Sequence, residues 1–374
     1  MQVVAVLPGG LEQEGAKELD SLGARSLTIL KRGVAFEADL ACFYRVHFQA
    51  RLPFRLLRQL STFHCDSPKA LYWGVQNSVD WEQWLPPSVS FRVDVSGTSN
   101  ELKHSHFTAL QVKNALVDFQ RNRWGERSDI NLLKPDICFH LHLTSHGQAV
   151  LSVNGAVRSL HKRGYKEAMG IAPLKENLAA GLILMTNWDK RIPLVDPLCG
   201  SGTFLLEAAS LALDLPPNNR RDFLIESWPD FDLALWLKEK QKANQKTTTN
   251  HIPLIIGCEQ DPLIAKQANS NIASAGFEDI IKISNSHFRD IVMPETQGIV
   301  VCNPPYGKRI GNKETLKDLY SELSDFLKTK ASGWELWLLS GNAELTASLR
   351  MKATKRFPIN NGGIDCRWLN YFIR

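Results

Sequence analysis

The chain has 374 residues, 44% hydrophobic and 22% charged, an ordinary globular composition with room for two or three domains. Its 44 Lys and Arg against 39 Asp and Glu leave a formal net charge of +5, which suits a nucleic-acid partner without requiring one. Seven scattered cysteines with no CxxC pair argue against a zinc site or a disulfide framework and for a reducing cytoplasm, and no apolar run approaches the roughly 18 residues of a membrane span.

The elements read in chain order as follows. Val3–Leu7 is strand-like, lacks a basic leader, and stops at Pro8-Gly9-Gly10. Leu11–Leu22 has helical spacing, with Leu11, Gly15, Leu19 and Leu22 on one side. Gly33–Ala38 reads as a strand, Leu40–Ala50 as a helix, and Phe54–Leu60 as a basic, apolar strand. Val89–Val95 alternates as a strand. Thr108–Arg123 is a helix whose end is basic, with Arg121, Arg123 and Arg127 around Trp124. Asp136–Leu143 and Ala149–Val153 pair as strands.

From residue 160 the pattern changes. Leu174–Trp188 reads as a helix. Strand-like runs at 192–195, 254–257, 298–302 and 334–340 alternate with helical segments at 204–213, 262–275 and 316–328. That alternation predicts a largely parallel sheet with helices on both faces. The polar stretch 238–250, rich in Lys, Gln and Thr, is expected to be a surface loop inside this domain. Trp228 and Trp236 are expected to pack within the same insertion.

The first chemical motif is Asp196-Pro197-Leu198-Cys199-Gly200-Ser201-Gly202-Thr203. Asp196 stands at the carboxyl end of an apolar run, where ligands bind in open α/β sheets. Gly200 and Gly202 permit positive φ and close backbone approach. Thr203 opens a helix whose free amides can meet a carboxylate or a ribose. No GxGxxG and no GxxxxGK[ST] is present, which disfavours a dinucleotide or a P-loop phosphate. Glu259, with Gln260 beside it, lies just past the next strand, where a carboxylate can accept both ribose hydroxyls of a nucleoside. Its rival Asp261 reads as a cap for the helix at Pro262. Glu259 follows Asp196 by far more than the usual gap of about 20 residues, and an insertion at about 215–250 accounts for the excess.

The second motif is Asn303-Pro304-Pro305-Tyr306, at the end of the apolar run 298–302. The Asn303 side-chain carbonyl and the Pro304 backbone carbonyl can accept hydrogen bonds from an –NH₂ group, aiming its lone pair at a methyl donor. Tyr306 can stack on a base. Together the two motifs point to methylation of an exocyclic nitrogen on a nucleobase. The basic turn at Lys162 and Arg163 is a candidate anion contact, as are Arg121, Arg123 and Arg127 for RNA. His104 and His106 lack partners at ligand spacing, so no metal site is expected.

These strings, with HSHFTALQVKNALVDFQR (104–121), KPDICFHLHL (134–143), LHKRGYK (160–166), APLKENLAAGLI (172–183) and NPPYGKRIG (303–311), resemble THUMP-domain RNA methyltransferases. The resemblance runs nearly end to end and is strongest to the bacterial 23S ribosomal RNA guanine-N(2) methyltransferase family. It implies a ferredoxin-like segment (1–60), a THUMP domain (61–158) and a Rossmann-like methyltransferase domain (159–374) using S-adenosylmethionine. It further implies that Asp196–Thr203 hold the methionine part of that cofactor, that Glu259 holds its ribose, and that Asn303–Tyr306 hold the target amine. One departure is that His287 aligns where the family commonly has an Asp near the adenine amine, with Asp290 as a substitute. The implied partner is 23S rRNA or a precursor large subunit.

Alternatives are a tRNA guanine or other RNA amine as target, a DNA adenine or protein glutamine methyltransferase, and a non-catalytic ribosome-assembly factor. The N-terminal 155 residues argue against DNA or protein as substrate, and intact cofactor and amine motifs argue against the last reading.

Overall fold

A computed structural model describes residues 1–165, 174–248, 252–306 and 313–374. The N-terminal part runs β1 (Gln2–Val6), α1 (Glu12–Ser21), β2 (Arg25–Leu30), β3 (Gly33–Glu37), α2 (Leu40–Gln49) and β4 (Arg55–His64). It continues through α3 (Pro68–Ser78), α4 (Trp81–Trp84), β5 (Phe91–Gly97), α5 (Ser105–Trp124), β6 (Ile137–Leu143) and β7 (Gln148–Asn154). All seven strands form one sheet in the order β2-β3-β1-β4-β7-β6-β5.

Strand β4 joins the two halves of that sheet. It pairs antiparallel with β1 through Arg55–Arg58 and with β7 through Leu57–His64. The register with β7 shifts between Gln59 and Ser61, so Leu60 is the extra residue of a bulge. The expected boundary at residue 60 therefore falls on a bend in one continuous strand.

The second half runs α6 (Glu176–Met185), β8 (Leu194–Asp196), α7 (Thr203–Ala212), α8 (Leu233–Gln245), β9 (Ile255–Cys258), α9 (Pro262–Ala275), β10 (Ile281–Ser284) and β11 (Ile299–Cys302). Then follow α10 (Lys313–Lys330), β12 (Glu335–Ser340), α11 (Ala343–Ala347), β13 (Lys355–Asn361) and β14 (Ile364–Phe372). The sheet order is β10-β9-β8-β11-β12-β14-β13. The first five strands are parallel, as the alternation predicts, and β14 returns antiparallel to β12. Strands β2, β10, β13 and β14 and helix α3 were not read from the sequence. β2 is mostly exposed and β10 is short, so neither shows a clear apolar alternation.

The stretch 238–250 requires a correction. Residues 238–245 belong to helix α8 rather than to a surface loop, while 249 and 250 lie outside the described residues. Trp236, Glu239 and Ala243 recur at helical spacing and are buried. They face α2 of the N-terminal part: Trp236 lies 4.3 Å from Phe48 and 4.9 Å from Tyr44 between ring centroids. Arg45 Nε donates to Glu239 Oε2 at 2.9 Å, and Asn218 Nδ2 donates to the His47 and Ala50 carbonyls. Thus Trp228 and Trp236 do pack, but as part of the N-terminal hydrophobic core. The insertion straps the second half to α2.

Buried polar contacts reinforce that joint. Arg51, near the end of α2, donates to Ser210 Oγ and to the Ser210 and Leu215 carbonyls. Glu18 accepts from the Arg51 and Leu52 amides, and Asn177 Nδ2 donates to the Leu52 carbonyl at 2.9 Å.

Candidate active site

Strands β8 and β11 are parallel neighbours, with Leu194 opposite Ile299 and Val195 opposite Val300. The two motifs therefore leave adjacent strands at the same edge of the sheet, about 4.8 Å apart across the ladder. Strand β9 flanks β8 on the other side and delivers Glu259 to that edge.

Asp196 closes β8 and is 2% exposed. Its Oδ1 accepts from the Leu198 amide at 3.1 Å. Burial pushes its carboxyl up to about 8, the Leu198 bond opposes this, and the nearby Glu259 adds to the rise. Past Asp196 the chain turns sharply. Gly200 has φ +53° and Gly202 φ +80°, the left-handed region where an L side chain is strained. A Cβ at Gly200 would meet nothing within 4 Å, so backbone conformation, not crowding by the protein, calls for glycine there. Gly257 differs, because a Cβ there would sit 2.4 Å from Leu205 Cδ1.

The loop is cross-braced. The Gly200 amide donates to Glu259 Oε2 at 3.1 Å, and the Asp261 amide donates to Glu259 Oε1 at 2.9 Å. The Cys199 amide donates to the Cys258 carbonyl, and Asn271 Nδ2 of α9 donates to the Ser201 carbonyl at 3.1 Å. Leu198 and Ser201 are half-buried, and Gly202 caps α7 just before Thr203. Asp261 caps α9 through the Leu263 and Ile264 amides, which leaves Glu259 as the carboxylate at the loop. Gln260 is exposed and its carbonyl accepts from Asn285 Nδ2. Burial pushes the Cys199 and Cys302 thiols well up, so neither serves as a thiolate nucleophile.

Asn303 follows β11 directly. Its Oδ1 is buried with no hydrogen-bond partner among the described residues. An orphaned buried acceptor of this kind costs about 1–3 kcal/mol unless a ligand satisfies it. Pro304 is buried and Pro305 half-buried, which makes the segment stiff. The Tyr306 ring lies over Gly341, where a Cβ would come within 2.7 Å of Tyr306 Cδ2, and Tyr306 Oη accepts from Asn361 Nδ2 at 3.0 Å. Residues 307–311 and Lys166, which belong to the resembling strings, lie outside the described residues.

His287 follows β10 on the neighbouring loop. Its Nδ1 accepts from the Arg289 amide, and its Nε2 stands 3.7 Å from Glu322 of α10. Asp290 is exposed.

The basic candidates separate. Arg121 and Arg127 are exposed at the end of α5, Arg123 pairs with Glu82 at 2.9 Å, and Lys162 is exposed. Arg163 requires a correction as a candidate RNA contact. Its side chain is 3% exposed, donates to the Leu160 and Arg51 carbonyls, and stands 3.6 Å from buried Glu207. Glu207 also accepts from Tyr165 Oη at 2.7 Å. Arg163 belongs to the joint between the two halves, a fact hidden by its polar, glycine-flanked local sequence. Sequence reading also missed Asn271, Asn285, Gly341 and Asn361, which position the motifs from remote segments.

Residues 163–370 match the RMKL-like methyltransferase domain, residues 75–154 the THUMP domain and residues 2–57 the RlmL ferredoxin-like domain. The chain belongs to the RMKL-like methyltransferase family. A candidate RNA methyltransferase of Synechocystis is 41% identical over 98% of this chain and 95% of its own length. Ribosomal RNA large subunit methyltransferase K/L of Photobacterium profundum is 36% identical over 100% of this chain but only 53% of its own length. The chain thus spans about half the length of the K/L relatives. SMU.472, a candidate methyltransferase crystallised with S-adenosylhomocysteine, superposes with a TM-score of 0.90 at 26% identity, covering 100% of this chain and 98% of its own.

SMU.472 thus holds the demethylated form of S-adenosylmethionine. The site in this chain suits that cofactor: a left-handed glycine turn with open space above it, a carboxylate braced to that turn, and an orphaned acceptor one strand away. Among the described residues, no group of three or more His, Cys, Asp or Glu could hold a metal, and no helix is long and apolar enough to cross a membrane.

Proposed function

We propose that this RMKL-like methyltransferase methylates the exocyclic amine of a guanine in 23S rRNA, giving N2-methylguanosine. The observation that carries the reading is Asn303 Oδ1, a buried acceptor with no partner among the described residues, beside the glycine cradle on the adjacent strand. RNA as substrate class is supported by the THUMP match and by the names of the relatives. Guanine N2 is our extension from the family resemblance.

In this reading Asp196, Leu198, Cys199, Gly200, Ser201, Gly202 and Thr203 hold the amino-acid part of the cofactor. Glu259 and Gln260 hold its ribose, and the His287 loop borders its adenine. S-adenosylmethionine, when bound, supplies an electrophilic methyl group. The chain supplies position: Asn303 Oδ1 and the Pro304 carbonyl each accept one N–H of the amine and so aim its lone pair. Tyr306 supports the base face. The clamp contains no strong base, so its contribution is orientation. The target nucleotide leaves its stack at a cost of about a few kcal/mol. Residues 1–60 and 61–158 place the RNA, with Arg121, Arg127 and Lys162 as phosphate contacts, and residues 159–374, with the insertion at 215–250, carry the chemistry.

The test is transfer of tritium from methyl-labelled S-adenosylmethionine to rRNA from cells lacking this protein, followed by nucleoside analysis. N2-methylguanosine with wild type and at least 100-fold less with Asn303→Ala, roughly the loss on removing one positioned polar group, supports the reaction and the clamp. Label in another nucleoside overturns the guanine assignment. Label in precursor particles alone moves recognition to the assembling subunit. No label in either overturns the enzymatic reading.

A further inference from the structure

Beyond the clamp the sheet continues through β12, β14 and β13, and here it forms a cleft of about 1010 Å³. One wall is the Gly9–Gly10 turn of the N-terminal part, the floor is Ser340–Asn342 at the end of β12, and the other wall is one face of the β13–β14 hairpin. The hairpin register decides which residues face in. Arg356 lies opposite Leu369, Pro358 opposite Arg367 and Asn360 opposite Asp365, and all six line the cleft. The N-terminal wall is seated by close backbone approach. Gly10 has φ +95°, a Cβ there would fall 2.2 Å from the Pro358 carbonyl oxygen, and the Asn360 amide donates to the Gly9 carbonyl at 2.9 Å.

The cleft is continuous with the clamp. Gly341 on its floor carries the Tyr306 ring, and Asn361 at the hairpin tip holds Tyr306 Oη. The sheet order therefore lays out the glycine cradle, the amine clamp and then this cleft along one edge. Charge is concentrated here as well. Residues 350–374 contain Arg350, Lys352, Lys355, Arg356, Arg367 and Arg374 against Asp365 alone, a net +5 equal to that of the whole chain. Arg356 and Arg367 are exposed and have no ion-pair partner among the described residues. The cleft's two acids are engaged: Glu12 accepts from the Gly10 and Arg32 amides, and Asp365 from Asn360 Nδ2.

We propose that this cleft holds the single-stranded RNA next to the target nucleotide, with Arg356 and Arg367 on its phosphates. The inference rests on the RNA-methylating reading above and deepens it. Arg356 and Arg367 are diagonal neighbours across the hairpin, about 7–8 Å apart at the backbone, so both guanidinium groups reach one strand. The volume is that of a ligand pocket, which takes an extruded strand and not a duplex. Seating the flanking strand between the two halves commits the extruded base to Asn303.

The test compares wild type with Arg356→Ala/Arg367→Ala, both exposed positions. Anisotropy is measured with a fluorescein-labelled 12-nucleotide single-stranded RNA and with a blunt RNA duplex of the same length, from 50 to 200 mM salt. Two lost phosphate contacts lower the single-strand salt slope by about 1.4, so that wild type loses about 7-fold more affinity over this range than the variant. Duplex binding and calorimetric binding of S-adenosylhomocysteine stay within twofold. In methyl transfer to rRNA, KM rises and the saturating rate holds. An unchanged single-strand slope overturns the cleft assignment, as does equal loss on the duplex or loss of S-adenosylhomocysteine binding. Wild type that methylates RNA while the variant is unaffected overturns the cleft alone. Wild type that neither binds nor methylates RNA overturns the underlying reading with it.

Discussion

Asp196 offers the sharpest quantitative test of the site. In the unfolded chain its carboxyl ionises near 3.8, while burial in the folded protein holds it up to about 8. Between those values folding takes up a proton, so the contribution of Asp196 to stability is full below pH 3.8 and is lost as pH rises towards 8. The slope approaches the one-proton limit of about 1.4 kcal/mol per pH unit, or roughly 3 kcal/mol from pH 5.5 to 7.5. Asp196→Asn removes the titration while keeping an acceptor for the Leu198 amide. For a chain this long the unfolding entropy is about 0.8 kcal/mol/K, which converts the change to about 3 °C. Scanning calorimetry of both proteins without cofactor is expected to show the melting temperature of wild type falling relative to the variant by that amount over this range. Parallel curves would refute the argument, because they would mean that Asp196 is already ionised in the folded protein. The same shift predicts uptake of the carboxyl proton by buffer when a cationic ligand binds near Asp196, detectable by calorimetry in buffers of different ionisation enthalpy.

Trp236→Ala is expected to destabilise the protein by about 3–5 kcal/mol, since it empties the contact of α8 with Phe48 and Tyr44; denaturant melts check this, and a change below about 1 kcal/mol would show that the strap does not hold the halves together. Gly202→Ala makes ordinary contacts, with Ala268 Cβ the nearest atom at 3.7 Å, but sits at a φ of +80°, so about 1–2 kcal/mol of backbone strain is expected, with weaker binding of S-adenosylhomocysteine and no large packing defect. Arg163→Ala removes the guanidinium 3.6 Å from buried Glu207, leaving only the more distant Arg51 charge, and is expected to cost about 3–5 kcal/mol, whereas Arg127→Ala at an exposed position changes stability by less than about 0.5 kcal/mol; equal melting of the two variants would contradict the assignment of Arg163 to the joint.

The local readings that succeeded share one physical basis. A strand stop, a glycine pair and a helix start are consecutive in sequence, so Asp196–Thr203 and Asn303–Tyr306 announce their backbone shapes through short-range sterics. The near-continuous apolar runs of β8, β9, β11 and β12 likewise report burial on both faces of a parallel sheet. Residues 1–22 and 33–60 were legible for the same reason.

Tertiary contact alone decided the rest. Nothing local separates Arg163 from Lys162, yet Arg163 turns inward because Glu207 lies 44 residues downstream on α7, where Tyr165 also donates to it. The segment 238–250 is polar in composition, and only the aromatic surface of α2 reveals that Trp236, Glu239 and Ala243 form a buried face. That no described residue donates to Asn303 Oδ1 cannot be read from sequence at all, since it depends on which distant groups the fold brings near. The same holds for the cleft. The basic residues of 350–374 are spread over that segment, and the β13–β14 register with the close approach of Gly10 to Pro358 gathers two of them beside the clamp. Sequence determines conformations that neighbours in the chain impose on one another; burial, pairing and orphaned groups are set by distant segments that only the folded structure brings together.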